Sequence, residues 1–223
     1  MKSGFVYGIS LSMILIMPAN AERIAHWTFD TDFSDATGRF NGTPKGEARI
    51  GQSDDIKREN GAGYLELDGS GDYVTVGFPM PEAGSYSKLA WARFDDDHVG
   101  GANIMTAGDA GGGHGLLVWD GTVRVIHGKS GSENRWTDTG EASPANTWTH
   151  WAVTYDSSSR SLKIYKNAML VSEASPAGDV GSHVNPDRIG AYETMSFWKG
   201  QIDDVQIWDS VLTQTEIKTH MDN

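Results

Sequence analysis

The chain has 223 residues, 30 of them acidic and 18 basic, for a formal net charge of −12, and it has no cysteine. With no run of Lys or Arg, that balance argues against nucleic acid as a partner and repels anionic membranes and polymers. Without cysteine there is neither a disulfide nor a lipid-anchoring thiol, so stability must come from a buried core.

Lys2 precedes the apolar run FVYGISLSMILIM, and Ala19-Asn20-Ala21 has the small-x-small form of a signal-peptidase site. The run is shorter than the ~20 residues a spanning helix needs. The expectation is a cleaved leader over residues 1–21 and one domain over 22–223, secreted or periplasmic, with no membrane insertion after cleavage.

From Ile24 onward, short alternating segments are broken by turn residues, the pattern of a β-sandwich. IAHWTF places Ala25, Trp27 and Phe29 on one face. GYLELDGSGDYVTVG predicts strands over Tyr64–Leu67 and Tyr73–Val76, and SKLAWARF predicts another. NIMTAG, GLLVWD and TVRVIHG follow, the last two joined by Asp120-Gly121, a tight-hairpin pair. TWTHWAVTYD, SLKIYKN, AMLVSE, DRIGAY and GQIDDVQIW complete the strands. Only the tail reads as helical, where Thr213 and Glu216 have the spacing of a capping box ahead of Ile217.

Several of these segments, in order, carry a resemblance: HWTFDTDFSDATGRFNGT, LELDGSGDYVTVG, WTHWAVTYDSSSRSLKIYKNAMLV, RIGAY and FWKGQIDDVQIWDSVLTQTEI. Together they resemble the laminin-G-like, concanavalin A-like jelly-roll family of lectins and glucanases, from Ile24 to about Lys218. The resemblance implies an all-β fold of two antiparallel sheets packed face to face, with first and last strands as neighbours. One departure concerns the turn after KIY, usually Asn-Gly in the family and here Asn167-Ala168; Ala tolerates positive φ poorly, which puts the turn type in question.

The stretch Gln201-Ile202-Asp203-Asp204-Val205-Gln206 copies the frame of the Glu-x-Asp-x-x-Glu strand of retaining glucanases on this sandwich. Amides occupy both glutamate positions, and an amide can neither attack an anomeric carbon nor shuttle a proton. No catalytic residue is therefore assigned. Asp30, Asp32, Asp203 and Asp204 are hard oxygen ligands from two distant segments, and a structural calcium ion tying the first strand to the last is expected of them. Alternation would place Asp203 on the inward face with Val205 and Ile207. The competing reading is that Asp30 and Asp203 only satisfy nearby backbone donors. The acidic cluster Asp95 to His98 reads as a solvated loop, and the seven histidines, without ligand spacing, read as surface or strand residues.

Among eight tryptophans, Trp27, Trp91, Trp148 and Trp151 lie in strand patterns and default to the core. Trp119, Trp136, Tyr192 and Trp198 fall at strand ends or loops beside polar residues, where an aromatic face can stack on the C–H surface of a sugar. With His114 of the Gly-rich loop, they form the candidate ligand-binding set. The leading expectation is a non-catalytic, lectin-like module that binds a polysaccharide or glycan. An adhesion domain that binds a surface protein, and a polysaccharide hydrolase or lyase, are the alternatives.

Overall fold

The computed structural model describes residues 21–52, 61–95, 100–107, 112–129 and 136–222. All but the last residue of the leader expected over residues 1–21, the cluster at Asp96 to His98 and most of the Gly-rich loop before His114 lie outside the described residues. The described residues form two antiparallel sheets, with strands numbered in chain order.

The first sheet runs β13 (Met169–Ala174), β12 (Ser161–Lys166), β11 (Thr149–Asp156), β6 (Tyr86–Phe94), β15 (Lys199–Trp208), β4 (Gly63–Asp68) and β3 (Arg49–Gln52), with β1 (Arg23–Trp27) also paired to β15. The second runs β10 (Trp136–Ala142), β9 (Thr122–Lys129), β8 (Gly112–Trp119), β7 (Gly101–Ala107), β14 (Arg188–Ile189), β5 (Tyr73–Thr75) and β2 (Thr43–Lys45). The expected first-to-last pairing is present, with Trp27 opposite Val205.

Alternation fills the space between the sheets as the sequence predicts. Ala25, Trp27 and Phe29 are wholly buried there, with Trp151, Val153, Ile202, Val205 and Ile207. Trp27 also donates its indole N–H to the Phe40 carbonyl at 2.9 Å, which satisfies the only polar atom of that ring. A smaller cluster of Leu89, Ala152, Tyr165, Ala168, Trp208, Leu212 and Ile217 covers the outer side of the first sheet beneath α1 (Gln214–Asp222). The capping box starts that helix: Glu216 N donates to Thr213 Oγ1 at 3.3 Å, and Thr213 N returns a bond to Glu216 Oε2 at 2.7 Å.

The questioned turn keeps positive φ at both central residues, 50° at Asn167 and 61° at Ala168. The Ala168 methyl group is buried in the outer cluster, and that contact offsets part of the strain. Three strands escaped the sequence reading. β2, β3 and β10 are short or polar and carry no clean apolar alternation.

One end of the interior is not apolar. The inward face of β6 carries Tyr86 and Lys88, and they meet His114, His127, Tyr155, His183 and Asp187. His114, His127 and His150 lie on strands, as expected, but are buried there, and His183 is buried as well. The Lys88 Nζ is buried, and no hydrogen bond to it is formed among the described residues. Burial pushes its amine down to about 7, only partly countered by the negative charge of Asp187.

Between about pH 7 and about 10 the unfolded chain thus holds a proton that folded Lys88 has released, so this group makes stability rise with pH across that window. The other facing groups act outside it. Burial lowers His114 and His127, the latter to about 4, while Tyr155 is pushed up to about 12 by burial and by its bond to Asp179. Lys88→Met should stabilise the domain at neutral pH by ~1–4 kcal/mol and flatten the rise towards alkaline pH. Urea unfolding of both proteins across that range checks this; an unchanged slope would mean that Lys88 is not the group responsible.

Candidate functional site

The outer face of the second sheet is where the predicted aromatics gather. Trp119 ends β8 just before the hairpin turn at Asp120 and Gly121, whose φ values of 49° and 76° are those the Asp-Gly pair is suited to. Trp136 opens β10 opposite Ile126 of β9. The two indoles are 41% and 53% exposed, which is unusual for the largest apolar side chain.

Tyr192 reaches the same face from a tight turn, closed by two backbone bonds between Tyr192 and Met195. The turn is tied to β7 through the Ser196 carbonyl, which accepts from the backbone N–H of Asn103 at 3.1 Å and from its side-chain amide at 3.3 Å. Trp119, Trp136, Tyr192, Met195, Leu117 and Ile126 line one trough of about 340 Å³, with Asn103 and Ser196 as its polar wall. No lining side chain carries a charge.

Gly101 sets the position of one platform. It lies opposite Trp119 in the ladder, and a Cβ added there would come within 2.5 Å of the indole ring. Gly101→Ala is expected to displace the ring and weaken any ligand stacked on it, while leaving the melting temperature within a few degrees. Ligand-induced quenching of tryptophan fluorescence would detect the change.

The other two members of the predicted ligand-binding set are placed elsewhere. Trp198 is wholly buried in the core against Phe94. His114 is 2% exposed, donates Nε2–H to the Pro81 carbonyl at 2.8 Å and packs edge-on to Tyr86. In the sequence, the loop position of Trp198 and the glycines before His114 concealed this burial.

A larger hollow of about 430 Å³ opens at the polar end of the sandwich, between His127, Glu82, Asp179 and Gly178. The imidazole at its floor is already committed. His127 Nε2 donates to the Gly178 carbonyl at 2.9 Å, and Nδ1 accepts from the Tyr86 hydroxyl at 2.9 Å. Its lining offers no exposed aromatic surface, so the smaller trough is the better candidate for stacking a ligand.

The four aspartates expected to hold calcium have separate tasks. Asp32 Oδ1 accepts from Ser34 N at 2.7 Å, an Asx turn on an exposed loop. Asp30 lies against Gly61 and Gly63, and its carbonyl accepts from the Gln52 amide. Asp204 takes His26 Nε2–H on one oxygen and the Gln206 amide on the other. Asp203 Oδ1 accepts from the N–H of Asp204.

Asp203 also lies on the opposite face from the one alternation gave it. The ladder to β6 pairs Asp203 with Trp91 but Gln206 with Leu89, so one extra residue is inserted between them. Asp204, with φ of 47°, forms this β-bulge, and it turns Asp203 outward while Val205 and Ile207 remain inward. Among the described residues, no group of three or more His, Asp or Glu side chains is placed to hold a metal ion. The four aspartates are thus not brought together as one group of side-chain donors. Melting temperatures with chelator and with added calcium test the expectation: a clear rise with calcium would show a held ion, and no difference would remove it.

Gln201 and Gln206 are also engaged. The Gln201 carbonyl oxygen accepts from Arg93 at 2.7 Å, and Gln206 bridges Asp204 to the Trp208 indole. The glucanase frame is thus occupied by amides that hold the sheet together.

Residues 68–218, more than half of the chain, match the family model of the concanavalin A-like lectin/glucanase superfamily. The chain belongs to that superfamily. The concanavalin A-like sandwich described above is similar to domain 4 of an extracellular arabinanase from Geobacillus stearothermophilus, in complex with arabinotriose. The identity is 23% and the TM-score 0.74, over 90% of this chain and 98% of that one.

It is similar also to the ligand-binding domain of botulinum neurotoxin serotype D in complex with N-acetylneuraminic acid, at 18% identity and a TM-score of 0.64, covering 88% of this chain and 50% of that one. The binding domain of Paraclostridial Mosquitocidal Protein 1 matches at 13% identity and a TM-score of 0.65, covering 88% and 51%. The chain thus spans about half of each of these two. At such identities the likeness is one of fold. No curated protein matches the chain by sequence. No helix of the described residues is long and apolar enough to cross a membrane.

Proposed function

We propose that this domain is an exported carbohydrate-binding module that holds an oligosaccharide on the outer face of its second sheet. The observation that carries the reading is the convergence of exposed Trp119 and Trp136 with Tyr192 on one trough. Indole faces stack on the apolar C–H faces of sugar rings, and the Asn103 amide and Ser196 hydroxyl are suited to sugar hydroxyls. Two similar structures, the arabinanase domain with arabinotriose and the serotype D domain with N-acetylneuraminic acid, hold sugars, which supports the same use of the fold here. The leader-like N-terminus supports export.

The ladder gives the trough a direction. Trp119 and Trp136 lie two strands apart, and their rows on the sheet are four residues apart. That places their backbones about 13 Å apart along the strands and about 10 Å across them. A ligand that reaches both platforms is an oligomer crossing the sheet diagonally between Leu117 and Ile126 and past Arg124 of β9.

Trp119→Ala and Trp136→Ala should each weaken glycan binding by about tenfold or more, which is ~1.4 kcal/mol or more per platform. Because both rings are about half exposed and lie outside the core, the melting temperature should change little. Titration calorimetry with glycans selected on an array checks this. Binding unaffected by both substitutions would move the site elsewhere, and folded protein that binds no glycan would remove the reading.

A further inference from the structure

We infer that the trough selects neutral sugar chains, and that an ion pair beside it, Arg124 with Asp138, on the line between its two tryptophans, keeps acidic ones out. The inference rests on the glycan-binding reading above and names the ligand class of that site. The diagonal from Trp119 on β8 to Trp136 on β10 crosses β9 midway. The residue at the crossing is Arg124, opposite Leu117 on one side and Asp138 on the other.

An arginine there would be the natural partner of a uronate or sialate carboxylate, because its planar fork matches a carboxylate. Here that arginine already has a carboxylate partner: Arg124 Nε donates to Asp138 Oδ2 at 3.1 Å. The other oxygen of Asp138 accepts from the Gly140 N–H at 3.0 Å, and this fixes the carboxylate at the edge of the platform. An anionic ligand drawn to Arg124 would have to share the guanidinium with the Asp138 carboxylate and bear the repulsion of that like charge. A neutral sugar needs only hydrogen bonds, and a compensated Arg–Asp pair offers hydroxyls both donors and acceptors.

The residues lining the trough add no positive charge, and the net charge of −12 adds a long-range repulsion of its own. The two contributions separate with salt. Long-range repulsion is screened beyond about 10 Å at 0.1 M ionic strength, whereas a contact between neighbouring groups persists.

The test compares arabinotriose and other neutral oligosaccharides with trigalacturonate and a sialylated trisaccharide, titrated at low and high salt. The expected result is that the wild type binds a neutral ligand at least about tenfold more tightly than either acidic one in both conditions. Asp138→Asn, which removes the competing carboxylate beside Arg124, should raise affinity for the acidic ligands by about tenfold, and Arg124→Gln should lower it below that of the wild type. Acidic ligands binding the wild type as tightly as neutral ones overturn the inference and leave the glycan reading intact. So does a preference that vanishes at high salt, or Asp138→Asn without effect on acidic ligands. Failure of every glycan to bind overturns both, and is distinguishable for that reason.

Discussion

One inserted residue governs how the first sheet closes. β15 is bordered along one edge by β6, but its other edge must serve two strands, β4 against Lys199–Ile202 and β1 against Val205–Trp208. The change of partner falls at Asp203 and Asp204, where the ladder to β6 also slips by one residue. A bulge sharpens the local twist and bends the strand, so β1 and β4 can occupy successive parts of one edge. The positive φ of Asp204 is costly for a residue with a Cβ, and the bonds from His26 and Gln206 hold its carboxylate in that position. The adjacent carboxylates that look catalytic in the sequence are the material of this joint.

The joint also explains why the two outer faces differ. Beyond the bulge, alternation places Gln206 and Trp208 outward, where Trp208 joins Leu89, Ala152 and Tyr165. That apolar strip requires cover, and α1 with Leu212 supplies it. Ser87 Oγ anchors the approach to the helix by donating to the Ser210 carbonyl at 2.6 Å and accepting from Leu212 N at 2.9 Å.

The fold was legible in the sequence because period-2 alternation and turn chemistry act locally. Trp27, Phe29, Val205 and Ile207 lie where alternation places them, and Asp120-Gly121 turns as its composition requires. The site was half legible. Trp119, Trp136 and Tyr192 come from segments far apart in the chain, and only the pairing of β8, β9 and β10 and the turn tied to Asn103 bring them together. Trp198 carried the same local signal, yet its ring turns into the core. The inward orientation of Lys88 and the bulge at Asp204 had no legible signal, since each reverses the preference that alternation or charge would state. The Arg124–Asp138 pair was equally hidden, because partners 14 residues apart meet only through strand register.

Among the described residues, the contrast between faces favours the second sheet for a ligand built on aromatic stacking. The first sheet uses its outward Trp208 to bind its own helix, so that ring is 8% exposed. The second sheet places outward tryptophans at Trp119 and Trp136 with no helix of the described residues packed over them. Exposing two indoles on a rigid ladder forgoes the burial each would contribute to stability, roughly 1.5–3 kcal/mol for a large apolar side chain. That loss is recovered only when another surface covers the rings. A flat, neutral platform flanked by hydrogen-bonding side chains favours a partner that is apolar on its face and polar at its edges, and a sugar chain has that character.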